Sequence, residues 1–142
     1  MWYRIKSRLN FLLKSSNQHG IHSPFVYDLI TKCFYDKTSF SAYHNLKVLR
    51  NELIHNQDLV KIKHYSETSK VFQSNHQKIS TIVKGEGSSY KKQKQLYRIT
   101  NYFKPKNVLE LGTSVGLGSA AMAIASNNSI IKTVEVNKNI SD

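Results

Sequence analysis

The feature that most constrains this chain is a glycine-rich turn between two short apolar runs. Residues 108–119 read Val-Leu-Glu-Leu-Gly-Thr-Ser-Val-Gly-Leu-Gly-Ser, and the second apolar run ends at Glu135. Apolar run, turn, alanine-rich stretch and apolar run predict a strand, a helix and a strand within about 30 residues. Two such strands are expected to be parallel, joined by a right-handed crossover. A ligand of this arrangement lies outside the carboxyl ends of the strands.

Glycines and carboxylates in and beside this turn define a predicted ligand site. Gly112 stands where the chain leaves the first strand and turns sharply, which favours a positive φ. A side chain there would collide with a ligand lying across the strand ends. Gly116 and Gly118 keep the entrance to the helix open. Glu135 ends the second strand, where its carboxylate can accept hydrogen bonds from both hydroxyls of a ribose.

The charges and spacing of the site indicate a ligand without phosphate. The turn does not match G-x-G-x-x-G, because position 114 is serine and a closely approaching pyrophosphate needs glycine there. Glu110 would also repel a phosphate. S-adenosylmethionine carries an ammonium, a sulfonium and a ribose but no phosphate, so it fits this site. The alternative is that the glycines serve only the packing of a strand-helix-strand unit.

Two segments carry a family resemblance. Residues 108–125 resemble motif I of class I S-adenosylmethionine-dependent methyltransferases, and residues 133–136 resemble the acidic end of their second strand. The chain is more closely similar to small O-methyltransferase-like proteins of bacteria. Their N-terminal helical extension carries a segment like residues 19–28 (His-Gly-Ile-His-Ser-Pro-Phe-Val-Tyr-Asp), followed by a lead-in helix like residues 96–103.

This resemblance implies a cofactor and a set of residues that bind it. Glu110, Gly112 and Ser114 would line the methionine part of S-adenosylmethionine, and Glu135 would hold the ribose. The full predicted cofactor site is Glu110, Gly112, Thr113, Ser114, Gly116 and Glu135. The implied reaction is methyl transfer to an oxygen or nitrogen of an unidentified substrate, and no catalytic residue is predicted. Two departures from the relatives are Gly118, where they often have Ser or Thr, and residues 65–70, where they have a glycine-containing loop.

The resemblance also implies an α/β, Rossmann-like methyltransferase fold with a seven-stranded sheet, of which this chain holds the first two strands. We expect a basic, mainly helical extension over residues 1–104 and the start of the S-adenosylmethionine-binding domain over residues 105–142. The hypothesis is therefore a truncated product with an incomplete fold. Whether so short a chain is active by itself is left open.

The charge of the chain is unevenly distributed. The net charge is +12, and residues 1–106 carry 19 Lys and Arg against 6 Asp and Glu. A basic surface favours an acidic partner such as nucleic acid, anionic lipid or an acidic protein, but a solvated lysine-rich surface is the preferred interpretation. The alternative function is accordingly a non-enzymatic basic helical module that binds nucleic acid or an anionic surface. Lys91, Lys92, Lys94 and Arg98, with Tyr90 and Tyr97, form the one basic and aromatic cluster.

The apolar periodicity predicts several helices before the turn. Residues 2–14 form a basic amphipathic pattern with an early tryptophan, suited either to a membrane surface or to packing on a domain. Ser23-Pro24 is a helix start, with Ser as N-cap and Pro at the first helical position. A third helix is predicted over residues 42–54, and residues 59–62 are expected to form either a short strand or a turn. Ser74 or Asn75 is expected to cap a short helix that carries Ile79, Ile82 and Val83.

The last helix before the turn is predicted over residues 89–103. Its apolar face is expected to contain Leu96, Ile99, Tyr102 and Phe103. Pro105 forces it to stop. The following strand, residues 108–111, is expected to be buried.

Other site classes are not favoured by the sequence. The single cysteine, Cys33, excludes an intrachain disulfide and makes a thiolate zinc site unexpected. His19 and His22 are assigned to capping and packing rather than to a metal. Ser114 satisfies G-x-S-x-G by letter, but no triad partner is visible. The chain lacks a run of about 20 apolar residues and a signal-peptide pattern, so a cytoplasmic protein is expected; a homo-oligomer is compatible with the sequence.

Overall fold

The computed structural model describes residues 2–15, 20–62 and 76–141, and its architecture is mixed α/β. The chain divides into two compact units, Met1–Lys37 and Thr38–Asp142. The first unit contains α1 (Trp2–Lys14) and α2 (Pro24–Asp28), which continues as a π-helical segment (Leu29–Phe34). The second contains α3 (Ala42–His55), β1 (Leu59–Lys61), β2 (His76–Lys78), α4 (Ile79–Gly85), α5 (Tyr90–Phe103), β3 (Asn107–Leu111), α6 (Leu117–Ala125), β4 (Ile130–Val134) and α7 (Lys138–Ser141).

The helix start predicted at Ser23-Pro24 is confirmed in the first unit. Pro24 opens α2, and the Val26 N–H donates to Ser23 Oγ over 3.4 Å. The chain widens into the π-helical segment after Asp28. Cys33 is buried there, as is common for a free cysteine.

The second unit contains two separate two-stranded sheets. β1 and β2 are antiparallel, with Leu59 opposite Lys78. β3 and β4 are parallel, in register from Asn107 opposite Ile130 to Leu111 opposite Val134. The parallel strand-helix-strand unit predicted around the glycine-rich turn is therefore present, with α6 as its crossover helix.

The start of α4 differs from its prediction. The helix begins at Ile79 with Lys78 as N-cap, and not after Ser74 or Asn75, which lie outside the described residues. Residues 76–78 are extended because they pair with β1. Sequence periodicity could not separate this short strand from the helix that follows directly.

The core of the second unit forms where α3, α5 and α6 meet. Tyr43 and Leu46 from α3, Tyr97 from α5 and Ala121 from α6 are buried together. The rings of Tyr43 and Tyr97 meet edge to face at 5.5 Å between centroids, a favourable geometry for aromatic pairs. The small Ala121 side chain allows α6 to lie close to its neighbours.

The apolar face predicted for α5 is correct only in part. Leu96 is half-buried and packs against the core, and Ile99 is half-buried, but Tyr102 and Phe103 are exposed. The fully buried residues of α5 are Gln93, Tyr97 and Thr100. The buried stripe contains polar side chains. Gln93 Nε2 donates to the Ser88 carbonyl over 3.0 Å, whereas Gln93 Oε1 is buried without a partner among the described residues. Apolar periodicity alone does not select these polar positions.

The parallel sheet is covered on one face only, so the prediction of a buried β3 is also wrong. Val108 and Glu110 are half-buried, but Leu109 and Leu111 are 66% and 77% exposed. Ile130 and Val134 of β4 lie in register with that outer face and are exposed as well. Parallel sheets are usually covered on both faces, and here the described helices cover one.

Because some leucines are buried and others are exposed, we expect the same substitution to change stability differently at two positions. Leu46→Ala should lower the free energy of unfolding by about 2–5 kcal/mol, because Leu46 is fully buried and its truncation leaves a cavity. Leu109→Ala should change it by less than about 0.5 kcal/mol, since that side chain is already in solvent. Urea denaturation followed by circular dichroism measures both. Equal losses would show that the outer face of the sheet is covered in solution.

Candidate functional site

The glycine-rich turn leaves β3 through Gly112 and enters α6 through Gly116. The Gly112 N–H donates to the Val134 carbonyl over 2.8 Å, which extends the parallel pairing by one residue. Gly112 has φ +87° and Gly116 has φ +72°, so the positive φ expected at Gly112 is confirmed. The Gly116 N–H closes the turn on the Thr113 carbonyl at 3.0 Å. The hydroxyls of Thr113 and Thr133 are hydrogen-bonded to each other.

Ser114 is the most unusual residue of the turn. Its φ is +49°, a conformation that costs a residue with a Cβ free energy. Its Oγ is shielded from solvent and has no hydrogen-bond partner among the described residues. A buried hydroxyl without a partner is destabilising. Strain and an unpaired hydroxyl on one residue are typical of a binding site rather than of a plain turn.

Glu135 connects the turn to the end of β4. Its Oε2 accepts a hydrogen bond from the Ser114 N–H over 2.8 Å, and its Oε1 accepts one from the Asn137 N–H over 2.9 Å. An ionised carboxylate has about four lone-pair positions. Two of them are therefore still available to hydroxyl groups of a ligand.

Glu110 makes a different contact. Its Oε2 accepts a hydrogen bond from the Ser119 hydroxyl, in the first turn of α6. A carboxylate at that end of a helix is favoured by the helix dipole. A Cβ on Gly118 would overlap Glu110 Oε1, so a Ser or Thr at position 118 would force this carboxylate to move. The glycine that departs from the methyltransferase pattern is thus explained by the position of Glu110.

A cavity of about 310 Å³ opens beside the turn. Of the predicted cofactor residues, Thr113, Ser114 and Gly116 line it, and Glu110, Gly112 and Glu135 do not. The structure therefore places half of the set on the cavity wall, and Glu135 is connected to that half by its hydrogen bond from the Ser114 N–H. The remaining lining residues are Leu53, Val60, Ile79, Ile82, Val115 and Ile140.

Sequence reasoning missed most of the cavity wall. The aliphatic residues Leu53, Val60 and Ile82 have the spacing of core positions, and nothing in that spacing distinguishes a cavity wall from a filled core. Ile140 belongs to α7, a four-residue helix without a sequence signal. The Asn139 side chain brings α7 to β1 by donating to the Lys61 carbonyl over 2.8 Å.

The basic and aromatic cluster on α5 is not organised as a base-stacking surface. Tyr97 is buried in the core. Lys94 Nζ lies over the rings of Tyr90 and Tyr43, at 4.9 and 5.6 Å from their centroids. Stacking of nucleic-acid bases needs exposed aromatic faces, and these rings are used inside the protein.

The part of the chain that the structure describes contains neither a cluster of metal ligands nor a membrane-spanning helix. Within residues 2–15, 20–62 and 76–141, no group of three or more His, Cys, Asp or Glu is placed to hold a metal ion. His19 and the segment 65–70 lie outside these ranges. No helix in the same ranges is long and apolar enough to cross a bilayer.

Comparisons with known proteins identify no relative of this chain. No protein-family model matches the chain, and no curated protein or solved structure matches it either. The geometry of the turn, the cavity and the two carboxylates is therefore the basis for proposing a function.

We expect that removing the unpaired Ser114 hydroxyl stabilises the folded protein. Ser114→Ala deletes a buried oxygen that has no partner, so the free energy of unfolding should rise by about 1 kcal/mol. Ser41→Ala is the matched control, because Ser41 is exposed, has φ −55° and makes no capping hydrogen bond. Thermal melts of the two variants give the comparison. Destabilisation by Ser114→Ala would show that the hydroxyl is already paired in the free protein.

Proposed function

We propose that the glycine-rich turn and its cavity bind S-adenosylmethionine, and that the protein is a methyltransferase, or the cofactor-binding part of one, acting on an oxygen or nitrogen. The observation that carries this proposal is Ser114. Its backbone is strained, its hydroxyl is shielded and unpaired, and it lines the cavity at the carboxyl end of β3. A ligand that hydrogen-bonds this hydroxyl would remove the cost of the unpaired oxygen.

The charges around the turn support a cationic ligand rather than a phosphate. Glu110 lies on the helix side of the turn and Glu135 on the β4 side. No Lys or Arg is among the described residues that line the cavity. Two carboxylates without a cation repel a pyrophosphate and attract an ammonium or a sulfonium.

The shape and composition of the cavity support the same class of ligand. Its volume is close to the lower end of the roughly 300–1,000 Å³ range of small-molecule pockets. Walls from Val60, Ile79 and Ile82 suit an apolar or aromatic group such as an adenine. The free lone pairs of Glu135 suit the two hydroxyls of a ribose.

The lining residues contribute binding and alignment to the proposed reaction. When bound, S-adenosylmethionine supplies a methyl group on a positively charged sulfur, which retains the electron pair of the broken bond as an acceptor oxygen or nitrogen attacks and loses its proton. The described lining residues include no titratable side chain, so we assign none of them to proton removal. Their effect on the rate is to hold the methyl group in line with the acceptor.

Calorimetric titration with S-adenosylhomocysteine tests the proposal. The unmodified protein should release or absorb heat with this ligand and give none with NAD⁺, which carries a pyrophosphate. Glu135→Gln should weaken binding by about 10-fold or more, since it removes the charge and one acceptor oxygen. Ser114→Ala should weaken it by roughly 2–10-fold, as expected for one neutral hydrogen bond.

Glu52→Gln is the matched control for charge. Glu52 is exposed on α3 and is not among the residues that line the cavity, so its substitution should leave the affinity unchanged. Absence of heat from a protein that circular dichroism shows to be folded would refute the proposal. Equal affinity for NAD⁺ would refute the assignment of the ligand class.

A further inference from the structure

The helix α1 is exposed along its whole length. All of its residues, from Trp2 to Lys14, are solvent-exposed, and the exposed fraction reaches 85% at Trp2 and 83% at Leu13. At about 100° per residue, five of its seven apolar and aromatic side chains fall within one face that covers roughly 100° of the helix. The residues of this apolar face are Trp2, Ile5, Leu9, Leu12 and Leu13, whereas Tyr3 and Phe11 lie outside it.

The charges of α1 have one sign. The helix carries Arg4, Lys6, Arg8 and Lys14 and has no Asp or Glu. Lys6 and Arg8 fall on the two borders of the apolar face, where their long side chains can extend toward phosphate groups while their methylenes cover apolar surface. Asn10 lies outside the apolar face, about 110° from its centre.

We propose that α1 binds the surface of a bilayer that contains anionic phospholipids, with its axis parallel to the membrane. A basic helix with an apolar face and an early tryptophan has the composition of an interfacial helix. Its 13 residues extend over about 20 Å, and roughly 20 apolar residues are needed to cross a bilayer. The helix therefore lies in the interface and does not span it.

Charge and apolar character together favour this partner over two others. Nucleic acid would engage Arg4 and Lys14 but would leave the apolar face in water. A second copy of α1 would cover that face, but it would bring two helices of charge +4 together without any carboxylate to pair with them. An anionic bilayer attracts the basic residues and also buries the apolar face. Each basic residue near such a surface strengthens binding by about fivefold. None of these residues belongs to the cavity, so the proposal is independent of the proposed cofactor.

Trp2 makes the proposal directly measurable, because it is the only tryptophan of the chain. The full-length protein is titrated with vesicles of phosphatidylcholine and phosphatidylglycerol in equal parts, and separately with vesicles of phosphatidylcholine alone. We expect a blue shift of the tryptophan emission with the anionic vesicles. Partitioning should be at least tenfold weaker into the neutral vesicles and should fall when the salt concentration is raised.

Two substitutions by aspartate distinguish the contribution of the apolar face to membrane binding from that of the charge. Leu9→Asp and Asn10→Asp change the net charge equally, but Leu9 is on the apolar face and Asn10 lies outside it. Asn10→Asp should weaken partitioning by about fivefold. Leu9→Asp should weaken it at least a further tenfold, because it also removes a buried leucine.

Several outcomes would overturn the proposal. One is an unchanged emission spectrum with anionic vesicles while circular dichroism shows a folded protein. Another is an equal effect of Leu9→Asp and Asn10→Asp, which would reduce the interaction to charge alone. A blue shift that depends on protein concentration without vesicles would assign the apolar face to a second copy. Salt-sensitive binding to nucleic acid that Leu9→Asp leaves intact, without vesicle binding, would assign the helix to nucleic acid.

Discussion

The geometry of the turn depends on the hydrogen bonds that the Glu135 carboxylate accepts. One of its oxygens accepts the Ser114 N–H and the other accepts the Asn137 N–H. The first bond holds the strained residue of the turn, and the second fixes the chain as it leaves β4 toward α7. α7 in turn contributes Ile140 to the cavity. A single side chain thus links the end of one strand, the turn of the other and one cavity wall.

The two carboxylates have separate tasks, although both lie near the carboxyl end of the sheet. Glu110 is paired with Ser119 and stabilises the first turn of α6. Among the described residues, Glu135 is paired with two backbone N–H groups. In the proposed complex, Ser114 would connect the ligand to Glu135. Glu110 does not line the cavity, so it would act on a cationic ligand through its charge alone.

Local signals in the sequence predicted the local structure well. The glycine-rich turn, the Ser23-Pro24 start and the stop before Pro105 depend on backbone preferences of individual residues, and each is found in the structure. The buried face of α5 was not predictable in this way. Gln93 is buried because Ser88 supplies a carbonyl for its amide, and Tyr97 because Tyr43 and Phe40 meet its ring. These are tertiary contacts that apolar periodicity does not encode.

The site shows the same division between local and tertiary information. Gly112 and Ser114 were identifiable from the turn, but the cavity wall formed by Leu53, Val60 and Ile140 comes from elements far apart in sequence. Their aliphatic side chains are typical of any core. Their role depends on α7 reaching β1 through Asn139, and one amide hydrogen bond is not visible in a sequence pattern. The outer face of β3 was misjudged for a related reason, because burial depends on the covering layer and not on the strand itself.

Ser114 is the residue that favours the proposed ligand site over a turn that serves packing alone. A glycine at this position would adopt φ +49° without strain and would bury no hydroxyl. If the turn served only to join β3 to α6, glycine would be the residue of lower free energy there. Serine retains the strain and the unpaired oxygen, and both lie on the cavity. A residue with two unfavourable features in the free protein is explained when a bound molecule removes one of them, and the packing interpretation offers no such compensation.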